Sequence, residues 1–217
     1  MKNFTNRLKK TIILTSYIDF EISFCDEITE DDYVIAIDGG YDIAQKNHIG
    51  VDLLMGDFDS VSTKLPDDIE TIHFNPEKDF TDLELALKKS VELGMESVLI
   101  LGGIGGRLDH TIANIQLLSC YSSSFDSLVM KDGRNKCFIL SDRRSRSITI
   151  PVEDDSYLSL FSLSEECCGV TIENVKYPLR DHTLTRNFPL GVSNEFKEKD
   201  AVLSISDGTL LVVVSKK

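Results

Sequence analysis

The most constraining feature of this chain is the alternation in its first 140 or so residues, where short runs of Ile, Val and Leu are separated by stretches of helical periodicity. Strand-like runs fall at residues 11–15 (TIILT), 33–37 (YVIAI), 52–55 (DLLM), 71–74 (TIHF), 97–101 (SVLIL) and 127–130 (SLVM). They lack polar alternation, the pattern of strands covered by helices on both faces. Helices are predicted between them at about 41–47, 81–93 and 108–121. The middle one carries the clearest signals. Thr81-x-x-Glu84 has the form of a capping box, Gly94 supplies a stop, and Leu83, Ala86, Leu87, Ser90 and Val91 make one stripe. Strand–helix alternation of this kind predicts a mostly parallel, Rossmann-like α/β sheet over residues 1–140.

Beyond residue 140 the helical periodicity ends. Runs at 147–150, 157–163, 170–175, 201–206 and 209–215 are short and partly alternating, which predicts an antiparallel β-sandwich over residues 141–217. Asp207-Gly208 between the last two reads as a two-residue hairpin turn. The expectation is therefore an α/β domain followed by a β-sandwich domain.

A formal net charge of −13 argues against a nucleic-acid partner, which would require a basic face. No apolar run has membrane-spanning length, and no long apolar segment follows the basic start MKNFTNRLKK, so neither a membrane anchor nor a secretory signal is expected. The five cysteines form no CxxC pair, and an odd set with two adjacent suits reduced thiols in a cytoplasm. An acidic chain of this kind holds a polyphosphate only through a cation, or through clustered amides and basic groups.

The positions of acids and glycines supply both devices. Asp38-Gly39-Gly40 follows YVIAI, Gly56-Asp57-Phe58-Asp59-Ser60 follows DLLM, and Gly102-Gly103-Ile104-Gly105-Gly106-Arg107 follows SVLIL. Lys78-Asp79-Phe80-Thr81-Asp82 leads into the capped helix. In an open α/β sheet the carboxyl ends of strands converge on a ligand crevice. If the chain stays extended through Phe58, Asp57 and Asp59 point the same way and grip one hard cation, with Phe58 in the core. The alternative is a turn in which these acids cap backbone amides. Asp82 and Asp109 each stand in a first helical turn, where the helix dipole alone favours an acid. The convergence of all four favours a metal. Four glycines in five residues before Arg107 and a helix start suit a phosphate cradle, although the run is neither GxGxxG nor a Walker A loop. The four histidines show no metal-ligand spacing.

Taken in order, Asp38–Gly40, GDFDS, DFTD and GGIGGRLDH resemble the thiamine pyrophosphokinase family, and the late segments KYPL and GVSNE resemble its bacterial form. The resemblance implies transfer of a diphosphoryl group from ATP to thiamine, giving thiamine diphosphate and AMP. It implies Mg2+ at Asp57, Asp59, Asp82 and Asp109, with Arg107 as a further catalytic residue. Nucleotide contacts would come from Asp38, Gly39, Gly40, Asp79, Thr81, Gly102, Gly103, Gly105, Gly106 and Arg107. Lys78, Tyr177, Leu179, Ser193 and Asn194 would lie at thiamine; Tyr177 stands where some members carry Trp. A homodimer with thiamine near its interface is also implied. Two other readings of the same residues stay open: a magnesium-dependent phosphohydrolase using water as nucleophile, and a non-catalytic nucleotide or thiamine binder.

Overall fold

A computed structural model of the chain describes residues 10–18, 22–59, 61–75 and 80–217. The chain divides into two compact units: residues up to 117 with 124–133, and residues 118–123 with 134–217.

In the first unit the strands are β1 (Lys10–Leu14), β2 (Tyr33–Ile37), β3 (Leu53–Gly56), β4 (Glu70–His73), β5 (Ser97–Leu101) and β6 (Ser127–Lys131). The helices are α1 (Phe24–Glu27), α2 (Gly40–Lys46), α3 (Asp82–Glu92) and α4 (Leu108–Tyr121), whose last turn from Leu118 counts with the second unit. Every strand pairing within this unit is parallel, in the order β6-β5-β1-β2-β3-β4. Ile12, Ile13 and Leu14 are successive residues of the inner strand β1, and all three are fully buried. Successive side chains of a strand point to opposite faces, so burial of all three means that neither face meets water. This is why the strand runs of the sequence lack polar alternation. One of the two layers gathers Ile12, Leu14, Val34, Ala36, Leu54 and Leu101 with Tyr41 and Ala44 of α2.

The ends of α3 follow the sequence signals. Thr81 is the N-cap, its Oγ1 accepting from the Glu84 amide at 3.2 Å, while the Glu84 carboxylate pairs with Lys88 at 3.0 Å. At the other end Gly94 takes φ +66°, and the amides of Gly94 and Met95 return to Val91 O and Ser90 O, the paired bonds of a Schellman stop. Leu83, Ala86, Leu87 and Ser90 form the buried stripe. Val91, expected in that stripe, is 45% exposed, because its rotation about the helix carries it past the edge of the sheet-facing side.

The second unit holds eight strands: β7 (Asn135–Ser141), β8 (Ser147–Ile150), β9 (Ser156–Ser162), β10 (Glu166–Glu173), β11 (Leu179–Thr185), β12 (Asn194–Glu195), β13 (Ala201–Ser204) and β14 (Thr209–Lys216). They form two antiparallel layers, β12-β9-β14-β7 and β11-β10-β13-β8. In β9 burial alternates, with Ser156, Leu158, Leu160 and Ser162 inside, as a strand with one covered face requires.

The Asp207-Gly208 hairpin is corrected. β13 pairs with β8 and β10, whereas β14 pairs with β7 and β9, so the turn carries the chain from one sheet to the other. Asp207 is held by Cys168, whose amide donates to its carbonyl at 3.0 Å, and the Thr209 amide donates to Ser164 Oγ at 3.1 Å. Those bonds, to β10 and to the loop between β9 and β10, replace the ladder a hairpin would close. Among the described residues no helix is long and apolar enough to cross a membrane.

Candidate active site

Strand order fixes where the site lies. The chain winds outward from β1 through β2, β3 and β4, then returns to the opposite side of β1 for β5 and β6. At such a reversal the connections leave on opposite faces, and a crevice opens outside the carboxyl ends of the strands. A cavity of about 260 Å3 occupies this place. Its walls include Thr15, Ser16 and Tyr17 beyond β1, Asp38 beyond β2, Gly103 and Gly105 beyond β5, Thr81 and Asp82 at the start of α3, Arg107 and His110 at the start of α4, and Asn114 midway along it.

Asp38 adopts φ +46°, in the left-handed region that non-glycine residues seldom occupy. Its amide donates to Met55 O at 3.1 Å, its carbonyl accepts from the Tyr41 amide at 3.1 Å, and its Oδ1 accepts from the Phe58 amide at 3.4 Å. Burial pushes the carboxyl up to about 6, helped by the charge of Asp82, a hydrogen bond shared with Asp82, and the charge of Asp57. Gly39 and Gly40 then start α2, and Gly40 is required by contact: a Cβ there would fall 2.2 Å from Leu14 O.

The expectation of an extended GDFDS segment is corrected. Phe58 takes φ +60°, so the chain turns, and the Asp59 amide donates to Asp57 Oδ1 at 3.2 Å. Strand alternation therefore does not align the two aspartates; one caps the amide of the other. Phe58 does reach the core as expected, packing on the buried cluster and meeting the His73 ring edge-on with centroids 4.9 Å apart. The turn is anchored downstream by Asp42 of α2, whose two carboxylate oxygens accept from the Ser62 amide at 2.8 Å and the Thr63 amide at 2.9 Å.

The glycine loop has positive φ at Gly102, Gly103, Gly105 and Gly106. A Cβ on Gly102 would fall 2.3 Å from both Thr15 Oγ1 and Tyr17 O, so the loop lies against the segment after β1. Three of its amides are engaged within the fold: Gly102 to Lys131 O at 2.8 Å, Gly103 to Tyr17 O at 3.0 Å, and Gly105 to Thr111 Oγ1 at 3.1 Å. Asn114 Nδ2 donates to Gly103 O at 2.8 Å and ties the loop to α4. At its end Arg107 forms a two-pronged pair with Asp109, Nε to Oδ1 at 3.2 Å and Nη2 to Oδ2 at 2.6 Å. The guanidinium holds the Asp109 carboxyl below the usual carboxylate range.

The four acids Asp57, Asp59, Asp82 and Asp109 thus arrive in separate settings. Asp82 shares a hydrogen bond with Asp38, Asp57 caps Asp59, and Asp109 is paired with Arg107. Among the described residues, no three acid, His or Cys side chains are close enough to hold one ion. Lys78 and Asp79 lie outside the described residues. Tyr177, Leu179, Ser193 and Asn194 belong to the second unit. Two of them are joined directly: the Asn194 side chain bonds both the amide and the carbonyl of Tyr177, at 2.9 and 2.7 Å. Ser193 takes φ +57° and donates its amide to Ser159 Oγ at 3.0 Å, while Leu179 opens β11. The sequence reading missed Thr15, Ser16, Tyr17 and Asn114 as cavity residues. Thr15 ends TIILT and Ser16 and Tyr17 follow it, so the rule applied to the other strand ends could have found them.

Known proteins are similar to this chain along most of its length. A family described as "Thiamin pyrophosphokinase, catalytic domain" matches residues 24–129, and "Thiamin pyrophosphokinase, vitamin B1 binding domain" matches residues 146–210. The thiamine pyrophosphokinase of Bacillus subtilis (strain 168) is 31% identical over 173 residues, covering 74% of this chain and 76% of that protein. The chain belongs to the thiamine pyrophosphokinase family. The crystal structure of thiamine pyrophosphokinase from Bacillus subtilis superimposes with a TM-score of 0.86 at 25% identity, covering 96% of this chain and 99% of that one. The thiamin pyrophosphokinase from Candida albicans keeps the fold at 16% identity, with a TM-score of 0.76 over 96% of this chain and 89% of that one. The resemblance drawn from the motifs therefore holds, and the chain is an enzyme of the family that makes thiamine diphosphate from thiamine. The catalytic match spans Asp38, Asp57, Asp59, Asp82, Arg107 and Asp109; the vitamin B1 match spans Tyr177, Leu179, Ser193 and Asn194.

Proposed function

We propose that this chain transfers the diphosphoryl group of ATP to the hydroxyethyl oxygen of thiamine in a magnesium-dependent reaction, releasing AMP. The observation that carries this reading is the cavity at the strand reversal, where Asp38, Asp82 and Arg107 face one space beside the glycine loop. Phosphoryl-type transfer needs positioning and charge neutralisation rather than a covalent protein intermediate, and these residues supply both. Hard carboxylate oxygens are the donors magnesium takes, and Asp38, pushed up first by burial and then by Asp82 and Asp57, marks where the acids crowd, although they would have to draw together to share one ion. Asp57, Asp59 and Asp82 would hold the ion, joined by Asp109 once Arg107 turns from it to a phosphate. Bound there, magnesium would neutralise the polyphosphate that an acidic chain otherwise repels.

The chain's own residues then have separate tasks. Arg107, at the end of the glycine run, binds phosphate oxygens, while the bonded amides of Gly102, Gly103 and Gly105 keep the loop's shape rather than donate to the ligand. Gly39, Gly40, Gly106, Thr81 and Asp79 complete the nucleotide side. Tyr177 offers its ring to thiamine, with Leu179, Ser193 and Asn194 on the same unit. The hydroxyethyl oxygen attacks the β-phosphorus as the bond to the α–β bridging oxygen breaks.

The same reading includes a cytoplasmic homodimer. Cys120, Cys137, Cys167 and Cys168 are all free thiols, which supports a reducing compartment. The exposed apolar side chains of Tyr177, Phe188, Leu190 and Val192 on the second unit support a partner surface.

Incubation of the protein with ATP and magnesium, with and without thiamine, followed by chromatography of the products, tests the proposal. Thiamine diphosphate and AMP in equal amounts, dependent on thiamine, are expected. AMP released without thiamine would make the chain a phosphohydrolase, and no turnover at saturating ATP, magnesium and thiamine would leave it a binder.

A further inference from the structure

We propose that Asn194 acts on thiamine through Tyr177, as the residue that positions the aromatic ring, rather than as a direct ligand; this rests on the thiamine-site reading above. Asn194 lies in the two-residue strand β12, paired with β9 opposite Leu158. Its Oδ1 accepts from the Tyr177 amide at 2.9 Å and from the Glu195 amide at 3.0 Å, and its Nδ2 donates to Tyr177 O at 2.7 Å. A carboxamide oxygen has two lone pairs and the nitrogen two hydrogens. Both lone pairs and one hydrogen are therefore committed within the protein. Two N–H groups and one C=O around the side chain also fix which way the amide faces.

The side chain thus makes to Tyr177 the pair of bonds that a neighbouring strand would make. The flanking residues extend this strap. The Lys176 amide donates to Glu195 O at 2.9 Å, Lys176 Nζ pairs with Glu195 Oε1 at 2.6 Å, and Val175 bridges antiparallel to Phe196. On the other side the left-handed turn at Ser193 is held by Ser159 Oγ, which sets where Asn194 starts.

The consequence concerns Tyr177. Tyr177 is 62% exposed, so core packing does not fix the ring; what holds it is Lys176 Nζ, 5.5 Å from the ring centroid, and the backbone from which its side chain starts. With the strap intact, that backbone is tied on both sides of its α-carbon. Without Asn194, both polar groups of the Tyr177 peptide lose their partner and the ring samples a wider range before thiamine arrives. The cost of ordering it then appears at the thiamine-binding step. Asp at this position would keep the acceptor but set a carboxylate against the Tyr177 carbonyl, so N194D should share the defect.

The test is a double-mutant cycle on thiamine diphosphate formation with wild type, N194A, Y177A and N194A/Y177A, plus N194D as the variant closest in size. N194A and N194D should raise the KM for thiamine roughly tenfold while leaving kcat and the KM for ATP within about twofold, the pattern of lost ground-state binding. In the Y177A background, N194A should have no further effect, because no ring remains to position. Additive effects of the two substitutions would mean that Asn194 contacts thiamine itself and would overturn the proposal, as would an unchanged thiamine KM in both N194A and N194D. A thermal melt of each variant separates loss of folding from loss of positioning, and N194D carries the cycle if N194A does not fold. A wild-type protein that forms no thiamine diphosphate removes the underlying reading before any variant is compared.

Discussion

Asp38 occupies the space that a side chain on Gly56 would fill: a Cβ on Gly56 would fall 1.8 Å from Asp38 Oδ1. Gly56 also takes φ +153°, which L side chains rarely adopt. The glycine that ends β3 is thus a condition for the acid that follows β2. Gly56→Ala should displace the carboxylate and destabilise the fold by about 1–3 kcal/mol, the usual range for an overpacked site. It should also lower turnover sharply. Adding Asp38→Ala to Gly56→Ala should recover part of the lost melting temperature and none of the activity. Thermal melts of the two single variants and the pair check this; a double variant no more stable than Gly56→Ala would refute the clash.

The same carboxyl gives a stability effect of definite sign. Asp38 is raised from 3.8 to about 6, so between those values the folded protein keeps a proton that the unfolded chain releases. Its charge therefore opposes folding above pH 6, and the opposition fades as pH falls toward 3.8. Asp38→Asn should stabilise the metal-free protein at pH 7.5. The difference between 3.8 and about 6 corresponds to about 3 kcal/mol, which partial exposure to water reduces to roughly 1 kcal/mol. Melts in a chelating buffer from pH 4 to 8 should show the gap between wild type and variant opening with rising pH and levelling above 6. A gap that widens toward acid would contradict the assignment.

Why this pair escaped the sequence reading is instructive. YVIAI, SVLIL and SITI were bounded to the residue, and the third major helix at 108–121 likewise, because apolar runs and helical periodicity depend on local chemistry. Left-handed φ at Asp38 and Phe58 is imposed by neighbours from other strands, such as Met55 O on the Asp38 amide, and nothing local announces it. β11 went unread because Arg180, Asp181 and His182 are exposed and polar, leaving no alternation to recognise. β7 carries a buried apolar run, Cys137–Leu140 with Ile139 only partly covered, at the very end of the stretch read as the α/β domain, where no strand is predicted. The Asp207-Gly208 turn was seen, but turn chemistry specifies a reversal of the chain and not the sheet that receives it.

The Arg107–Asp109 pair makes a separable prediction for the site. Both side chains are largely exposed, at 73% and 65%, so their pair adds little to the fold. Arg107→Ala should leave the melting temperature nearly unchanged yet lower kcat/KM for ATP by about 10²–10³, the range for losing one donor to a developing anionic charge. Arg107→Lys should restore only a fraction, since a point charge does not reproduce the planar fork. Steady-state kinetics at saturating thiamine tests this, and an Arg107→Ala enzyme within a few-fold of wild type would remove Arg107 from phosphate binding.

Asp42 supplies the last prediction, because it acts on the aspartate turn without belonging to it. Its carboxylate anchors the amides of Ser62 and Thr63, and those bonds hold its carboxyl below the usual range. A depressed value means the anchor is fully formed above 3.8 and fails only as pH falls below it, so it is constant across the working range of an enzyme near neutrality. Asp42→Ala should loosen the segment that carries Asp57 and Asp59 while leaving both acids chemically intact. The expected signature is a rise of roughly tenfold in the magnesium concentration needed for half-maximal rate, as found when groups that orient metal ligands are lost. The KM for thiamine should stay level and the pH profile between 6 and 9 should keep its shape. Asp42→Asn keeps one good acceptor and should fall between the two. A magnesium requirement equal to wild type in Asp42→Ala would show that the turn holds its shape without this anchor, through the Phe58 packing and the Asp38 and Asp57 bonds to its amides.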